Sequence, residues 1–449
     1  MKVCLPLLMM AQLSAAVYDV RTYGAAGDGK TVDTKSIQAA IDAAAKSKGE
    51  VVFRPGVYLT GAIFVKSGVR LRIDTGVELL GVNDLAAYPV MQTRVAGIEM
   101  KWPAALVNVY EQSDVRISGK GVVDGDGSVF WDKYWKMRRE YEPKGLRWAV
   151  DYDCQRPRLI QVYKSSGVTL EGLTLKRAGF WTVHICYSQR VTADGLVIRN
   201  NIGRRGPSTD GVDVDSSSDV LVTRCDIECN DDAICLKAGR DADGLRVNRP
   251  TEKVRIVDNT VRAGAAGVTI GSETSGGIRD IEVDGLRAFN PVPSGILFKS
   301  ASTRGGTIRD ITIRNVQLEG VGTPVSVTLN WNPSYSYAKM PDNVKDPADY
   351  WRVLTDPVLP EKGLPHFRQV RISGLKATGA QRAFAVSSYA ESPLEDFEFR
   401  DVEIAAKSAG SIANAANWSF TGLKLTIADG RAVAVKDSKS VTGLKDVTK

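Results

Sequence analysis

A short motif of β-branched residues alternating with polar ones recurs along most of this chain, and it restricts the fold to a stack of similar coils. It stands as Val115-Arg116-Ile117, Val168-Thr169-Leu170, Val220-Leu221-Val222, Val254-Arg255-Ile256, Ile278-Arg279-Asp280-Ile281, Ile308-Arg309-Asp310-Ile311 and Val370-Arg371-Ile372. Alternation of this kind marks strands with one buried face. Starts at 168, 191, 220, 254, 278 and 308 lie 23, 29, 34, 24 and 30 residues apart. Self-similarity at that period is the signature of a solenoid. Asn, Asp and Gly turns separate the strands with no helical pattern between them, which predicts an all-β chain, a parallel β-helix. A second short strand follows many copies, as in Leu173-Thr174-Leu175 and Cys225-Asp226-Ile227.

A solenoid exposes an apolar cross-section at each end and needs caps. The one strong helical stretch, Thr34 to Ala45, places Ile37, Ala40, Ile41 and Ala44 on one face. It is expected to cap the N-terminal end, with Asp33 or Thr34 as N-cap. Two stretches break the repeat. Asp124 to Arg158 carries Trp131, Tyr134, Trp135, Tyr141 and Trp148; Gly322 to His366 carries Trp331, Tyr335, Tyr337, Tyr350 and Trp351. Insertions in solenoids become loops on one face, often the binding face. Their aromatic rings suit either sugar faces or a small core of their own.

Residues 1–16 read as a signal peptide: Lys2, an apolar run from Val3 to Leu13, then Ser14, Ala15 and Ala16 before a cut at Val17. Residues 17–449 form one catalytic domain on this reading, secreted or periplasmic, monomeric, with no segment long enough to span a bilayer. Of six cysteines, Cys4 leaves with the leader. Cys154, Cys186, Cys225, Cys229 and Cys235 are odd in number and cannot all pair, so most are expected as small buried hydrophobes. Two histidines in the whole chain exclude a His-rich metal centre. No metal and no cofactor are expected. A formal charge of +7 favours a polyanionic partner. No nucleic-acid-binding motif is present, and an acidic polysaccharide suits an exported protein better.

Acidic residues crowd one region: Thr209-Asp210-Gly211-Val212-Asp213-Val214-Asp215, then Asn230-Asp231-Asp232. Asp210 and Asp231 are 21 residues apart, close to one coil. Residues one coil apart stack on neighbouring strands, roughly 4.8 Å apart. Asp210, Asp231 and Asp232 therefore converge, and carboxylates that close cannot all ionise freely. One raised and one ordinary pKa supply an acid and a base in one site. Lys237, Lys299 and Arg304 follow downstream as cations for the same patch.

These segments resemble glycoside hydrolase family 28, the polygalacturonase family, over nearly the whole mature chain. Tyr23-Gly24-Ala25-Ala26-Gly27-Asp28-Gly29 and Phe53-Arg54-Pro55-Gly56-Val57-Tyr58 resemble an opening block shared with other pectin-active β-helices. Phe180-Trp181-Thr182-Val183-His184 resembles a Trp-x-x-His block, Thr209-Asp210 the Asn-Thr-Asp motif, and Asp231-Asp232 through Gly239 the double-Asp motif. Arg240-Asp241-Ala242-Asp243-Gly244 and Gly271-Ser272-Glu273-Thr274-Ser275-Gly276-Gly277 resemble the exo-acting branch. The resemblance implies a right-handed parallel β-helix of the pectin-lyase-like type and inverting hydrolysis of galacturonosyl bonds. It implies Asp231 as general acid, Asp210 and Asp232 as activators of water, and substrate contacts from Trp181, His184, Lys237, Glu273, Lys299 and Arg304.

Two departures stand out. The family's active-site histidine falls on Ala266, and the arginine of its Arg-Ile-Lys motif falls on Leu297, before Phe298 and Lys299. Ser208 replaces the usual Asn. An apolar Leu297-Phe298 wall suits the methyl group of rhamnose, so rhamnogalacturonan is expected over homogalacturonan. Closure of one cleft end by Arg240–Gly244 and Gly322–His366 would give exo action. A polygalacturonase on homogalacturonan, a lyase on the same fold and a non-catalytic carbohydrate-binding β-helix are the competing readings.

Overall fold

The computed structural model describes residues 16–203, 205–444 and 447–448. The leader, Cys4 and the proposed cut after Ala16 lie largely outside the described residues. The chain winds as a right-handed parallel β-helix whose coils stack three sheets around one apolar core. Strands of the coils pair in parallel with their counterparts one coil on, from Val17–Asp19 on Glu50–Val52 to Lys424–Ile427 on Val447–Thr448.

One sheet positions the site. It contains Val107–Tyr110, Ile160–Tyr163, Val183–Cys186, Val212–Asp215, Ile234–Lys237, Ala266–Ile270, Ser294–Lys299 and Thr323–Thr328 in order. A single file of Val107, Ile160, Val183, Val212, Ile234, Val268, Ile296 and Val325 points inward, and every member is fully buried. Burying such a side chain contributes about 1.5–3 kcal/mol, so the file fixes register: a one-residue slip would turn it outward. The copies of the alternating motif stack in the second sheet, with a shift of register at one coil. Val254 pairs with Ile281, not Ile278, and Ile281 with Ile311.

At the corner where the site sheet ends, Ser165, Ser188 and Ser217 stack. Ser188 Oγ accepts from Ser165 N (3.1 Å) and Ser217 Oγ from Ser188 N (2.9 Å). Lys164, Tyr187 and Ser216 precede them in the left-handed region, φ 46°, 53° and 46°. The turn is thus rebuilt identically coil after coil.

The helix Thr34–Ala45 forms as expected and buries Ile37, Ala40, Ile41 and Ala44 over the first coils. Asp33 makes no side-chain capping bond; its carboxylate accepts instead from Ala26 N and Gly27 N, at 2.7 and 2.9 Å. The insertions are less loop-like than the sequence suggests. Ser128–Tyr141 is a helix that buries Phe130, Trp131 and Tyr134, and Asp241–Val247 is a short helix. Val90–Val95 and Ile98–Pro103 form an antiparallel hairpin with no counterpart in the repeat. Cys154, Cys186, Cys225, Cys229 and Cys235 are buried and unpaired, as small hydrophobes. Among the described residues no helix is long and apolar enough to cross a membrane.

Candidate active site

The carboxylates gather where the site sheet begins. Val212 pairs with Ile234, and Gly211 N donates to Asp232 O (3.0 Å). Continuing that register backward sets Asp210 beside Asp232, one coil on. An oxygen of each carboxylate lies within 4.8 Å of the other. Asp231 sits at the turn just before, half-buried, while Asp210 and Asp232 are buried.

Their surroundings differ. Asp232 accepts from Lys299 Nζ (2.7 Å), Thr269 Oγ1 (2.8 Å) and, more weakly, Cys235 Sγ (3.5 Å). Burial alone would raise its pKa. Lys299 and then Lys237 outweigh burial and hold it below the ordinary aspartate value. Among the described residues Asp231 has no such partner beyond the Asp232 amide at 3.1 Å. Desolvation and then the charge on Asp232 raise its pKa. One carboxyl is therefore held ionised and its neighbour is pushed toward keeping a proton, which is the asymmetry that acid–base work needs.

Asp210 is different again. Burial first, then Asp213 and Asp231, push its pKa well up. Asp213, fully buried three residues on, is raised by burial to about 7. Among the described residues neither Asp213 oxygen has a hydrogen-bond donor, and Lys237 Nζ lies 3.4 Å away. Asp210 is among the side chains that act on Asp213, and one proton held between the two would satisfy both. Lys237 Nζ also lies 3.5 Å from Asp210 and 3.6 Å from Glu273. Burial would raise Glu273, but Lys237 and Arg304 bring it down to about 2.

Asp210, Asp231, Asp232, Lys237, Glu273 and Lys299 line a cavity of about 270 Å³ together with Trp181, Ser272, Trp331 and Tyr335. Lys237 Nζ stands 4.9 Å from the Trp181 ring and Lys299 Nζ 4.5 Å from Trp331. Arg138, Arg147 and Asp151 also line it, and sequence reasoning assigned them nothing. Arg147 Nη1 donates to Asp151 Oδ2 (2.8 Å), and Ser208 Oγ to Asp151 Oδ1 (2.8 Å). Lone residues in an irregular insertion carry no periodic signal, so only the fold brings these three to the site.

Two expected substrate contacts are corrected. His184 is fully buried behind Trp181, with Nε2 3.4 Å from Asp215 Oδ2, and does not reach the cavity. Burial and then Arg158 lower its pKa to about 4, so it is neutral. Arg304 is also fully buried and pairs with Asp241, anchoring the helix Asp241–Val247. Phe298 points into the core, leaving Leu297 alone to face outward. Most aromatic rings of the insertions do not face sugar either. Trp131, Tyr134 and Trp148 are buried, and Tyr350 Oη and Trp351 Nε1 both donate to Asp153 Oδ1 at 2.8 Å.

One end of the cavity is walled. The hairpin tip Ala96 lines it, and the hairpin packs Val95, Ile98, Met100 and Trp102 with Trp148, Tyr152 and Leu354 over Phe180 and Trp181. Arg94 runs beneath to Asp215 (2.9 Å), and Arg240 donates to Tyr335 O (2.8 Å) and Ser336 O (3.0 Å). The other end opens past Ala265 and Trp331. As for cations, Asp210, Asp232 and Cys235 cluster closely enough to hold one, but the Lys299 ammonium already occupies an oxygen of Asp232.

Comparison with known proteins decides the family. The model for Glycosyl hydrolases family 28 matches residues 55–345, most of the chain and all three clustered aspartates. The chain belongs to glycoside hydrolase family 28. It is a glycoside hydrolase. A second model, Rhamnogalacturonase A/epimerase, pectate lyase-like, matches residues 17–81. A probable polygalacturonase of Vitis vinifera is 29% identical over 75% of this chain and 66% of its own length. An exo-poly-alpha-D-galacturonosidase of Dickeya chrysanthemi is 25% identical over 93% of this chain and 75% of its own length. The solved structure of a hyperthermoactive exopolygalacturonase from Thermotoga maritima superposes with a TM-score of 0.74 at 26% identity, covering 94% of this chain and 92% of that one.

Proposed function

We propose that this family 28 hydrolase cleaves terminal α-galacturonosyl linkages of pectin with inversion, from the non-reducing end. The observation that carries this is the walled cavity with its unlike carboxyls: Asp231 half-exposed with a raised pKa, Asp232 held ionised by Lys299. Asp231 protonates the leaving oxygen. Asp232 takes the proton from the attacking water, and Asp210, kept protonated beside Asp213, orients that water rather than deprotonating it. Lys237, Arg147 and Lys299 supply the cations for substrate carboxylates. The wall at Ala96 and Tyr335 admits one chain end, which supports exo action. The names of the relatives support galacturonan as substrate class.

On the open side, Leu297 stands where the family's arginine would pair with a second galacturonate. We read the neighbour there as a neutral sugar carrying a methyl group, rhamnose, with homogalacturonan as the second reading. Digestion of purified homogalacturonan and rhamnogalacturonan side by side tests both. Saturated products with inverted reducing ends and single galacturonates released from the first minutes are expected. Unsaturated, ultraviolet-absorbing products would mean a lyase, and a rapid early fall in viscosity would mean internal cuts. Export is part of this reading, and sequencing of the mature N-terminus should find Val17.

A further inference from the structure

Beyond Ala265 and Trp331 the active-site cavity continues into a groove of about 480 Å³ that crosses the next coils toward the C-terminus. Leu297 and Ala385 give it an apolar floor, and Ser326 and Ser411 offer hydroxyls. Arg382 stands at the far end. It is exposed, and among the described residues its guanidinium has neither a hydrogen bond nor an ion pair. Elsewhere on the solenoid, Arg255, Arg314 and Arg400 are each neutralised by a glutamate.

The position of Arg382 is set by register. Extending the site sheet's pairing backward from Ile234 and Val268 sets Asp232 beside Ala266. Ala266 pairs with Ser294 and Ser294 with Thr323, and Arg382 N donates to Gly322 O (3.1 Å), so Arg382 follows Thr323. Arg382 is thus in the same file as Asp232, four coils on, roughly 19 Å away at strand spacing. Its stem lies against Gly410, where a Cβ would stand 2.6 Å from Arg382 Cγ. The glycine leaves room for the stem to lie along the groove.

We infer that this groove holds the part of an acidic oligosaccharide on the leaving-group side of the scissile bond, and that Arg382 pairs there with a uronate carboxylate several sugars away. The inference rests on the reading of the cavity as a galacturonosyl hydrolase site. The wall fixes the direction, because a chain whose terminal sugar fills the cavity can leave only past Ala265 and Trp331. Apolar floor, hydroxyl rim and one unneutralised cation match the ring faces, hydroxyls and carboxylates of such a chain. An exposed guanidinium–carboxylate pair with bidentate geometry is stronger than a neutral hydrogen bond.

Calorimetric binding in the Asp231→Asn background, which blocks turnover, tests this with hexagalacturonate, a rhamnogalacturonan oligosaccharide of equal length, and digalacturonate. Adding Arg382→Ala should weaken the long ligand about tenfold and leave digalacturonate unchanged, with Arg382→Lys between. Whichever long ligand shows the loss identifies the backbone that fills the groove. Equal affinity of the long ligands with and without Arg382, or no binding of either, overturns the inference. An Arg382-dependent loss in a protein whose unsubstituted form hydrolyses neither polymer would instead keep the groove and reject the hydrolase reading.

Discussion

Replacing Lys299 by Met removes the ammonium that holds Asp232 ionised and keeps most of its volume. Nζ lies 2.7 Å from Asp232 Oδ2. Unit charges at that distance attract by about 6 kcal/mol at an effective dielectric of about 20. That is an upper limit on the shift, because burial of the ammonium opposes it and Lys237 remains. An opposite charge in contact ordinarily lowers a carboxyl pKa by about 1–3 units. Asp232 must be ionised to accept a proton from water, so activity is lost as pH falls through its pKa. The acidic limb of kcat/KM, which reports the free enzyme, should therefore move up by about 1–3 units in Lys299→Met. The basic limb belongs to Asp231, which must be protonated. Lys299 lowers Asp231 too, as the third influence on it and without a hydrogen bond, so this limb should move up by less. The assay is release of reducing ends between about pH 3 and pH 8, taken as the ratio of variant to wild type. Substrate carboxylates titrate equally for both proteins and cancel. A uniform fall in rate with the acidic limb unmoved would refute the reasoning and leave Lys299 as a substrate contact only.

Three further outcomes are expected. Asp231→Asn should lose activity by about 10²–10⁴-fold with little change in melting temperature, and near-full activity would remove its role as acid. Lys237→Met should destabilise the fold by about 3–5 kcal/mol at pH 8, because Asp210, Asp213 and Glu273 lose their shared cation. The raised pKa of Asp213, about 7 against 3.8, means that protonation stabilises the native state progressively below neutrality. The loss at pH 5 in denaturant titrations should then be clearly smaller, and an equal loss at both pH values would contradict the shared-proton reading. Leu297→Arg should lower rhamnogalacturonan activity relative to homogalacturonan, since an unpaired charge at this nearly buried position is unfavourable; an equal fall in both would dispose of the rhamnose reading.

What could be read from the sequence was whatever repeats or stacks. Val168, Val220 and Val254 announce strands because each buries one face at period two, and the Asp210–Asp232 convergence follows from coil length. The helix Thr34–Ala45 is visible because its apolar face has period 3.6. The hairpin Val90–Pro103 went unread: its tip is Ala96-Gly97, both with positive φ, without the Asn-Gly or Asp-Gly that signals such a turn. The helix Ser128–Tyr141 was hidden among bulky rings that also suit a loop. His184 was drawn to the cleft by its Trp-x-x-His block and Arg304 by its place downstream of the carboxylates; Asp215 and Asp241, 31 and 63 residues away, satisfy them inside instead. Arg147 and Asp151 reach the cavity only through the packing of an insertion, which leaves no trace in local pattern.

The wall that closes the cavity has a consequence for how the molecule is made. Coils of the solenoid touch mainly their immediate neighbours, so the stack can lengthen one turn at a time as the chain emerges. The wall cannot grow that way. It joins the hairpin near residue 96 to Tyr152, Arg240 and Tyr335, and Asp153 to Tyr350 and Trp351 nearly two hundred residues later. Contacts so distant along the chain close late, after the loop entropy between them has been overcome. A spine folded only as far as the catalytic coils therefore carries its aspartates on an unwalled face. During refolding, β-sheet signal should return before the ability to grip a chain end, and the pocket should be the last part of the molecule to mature.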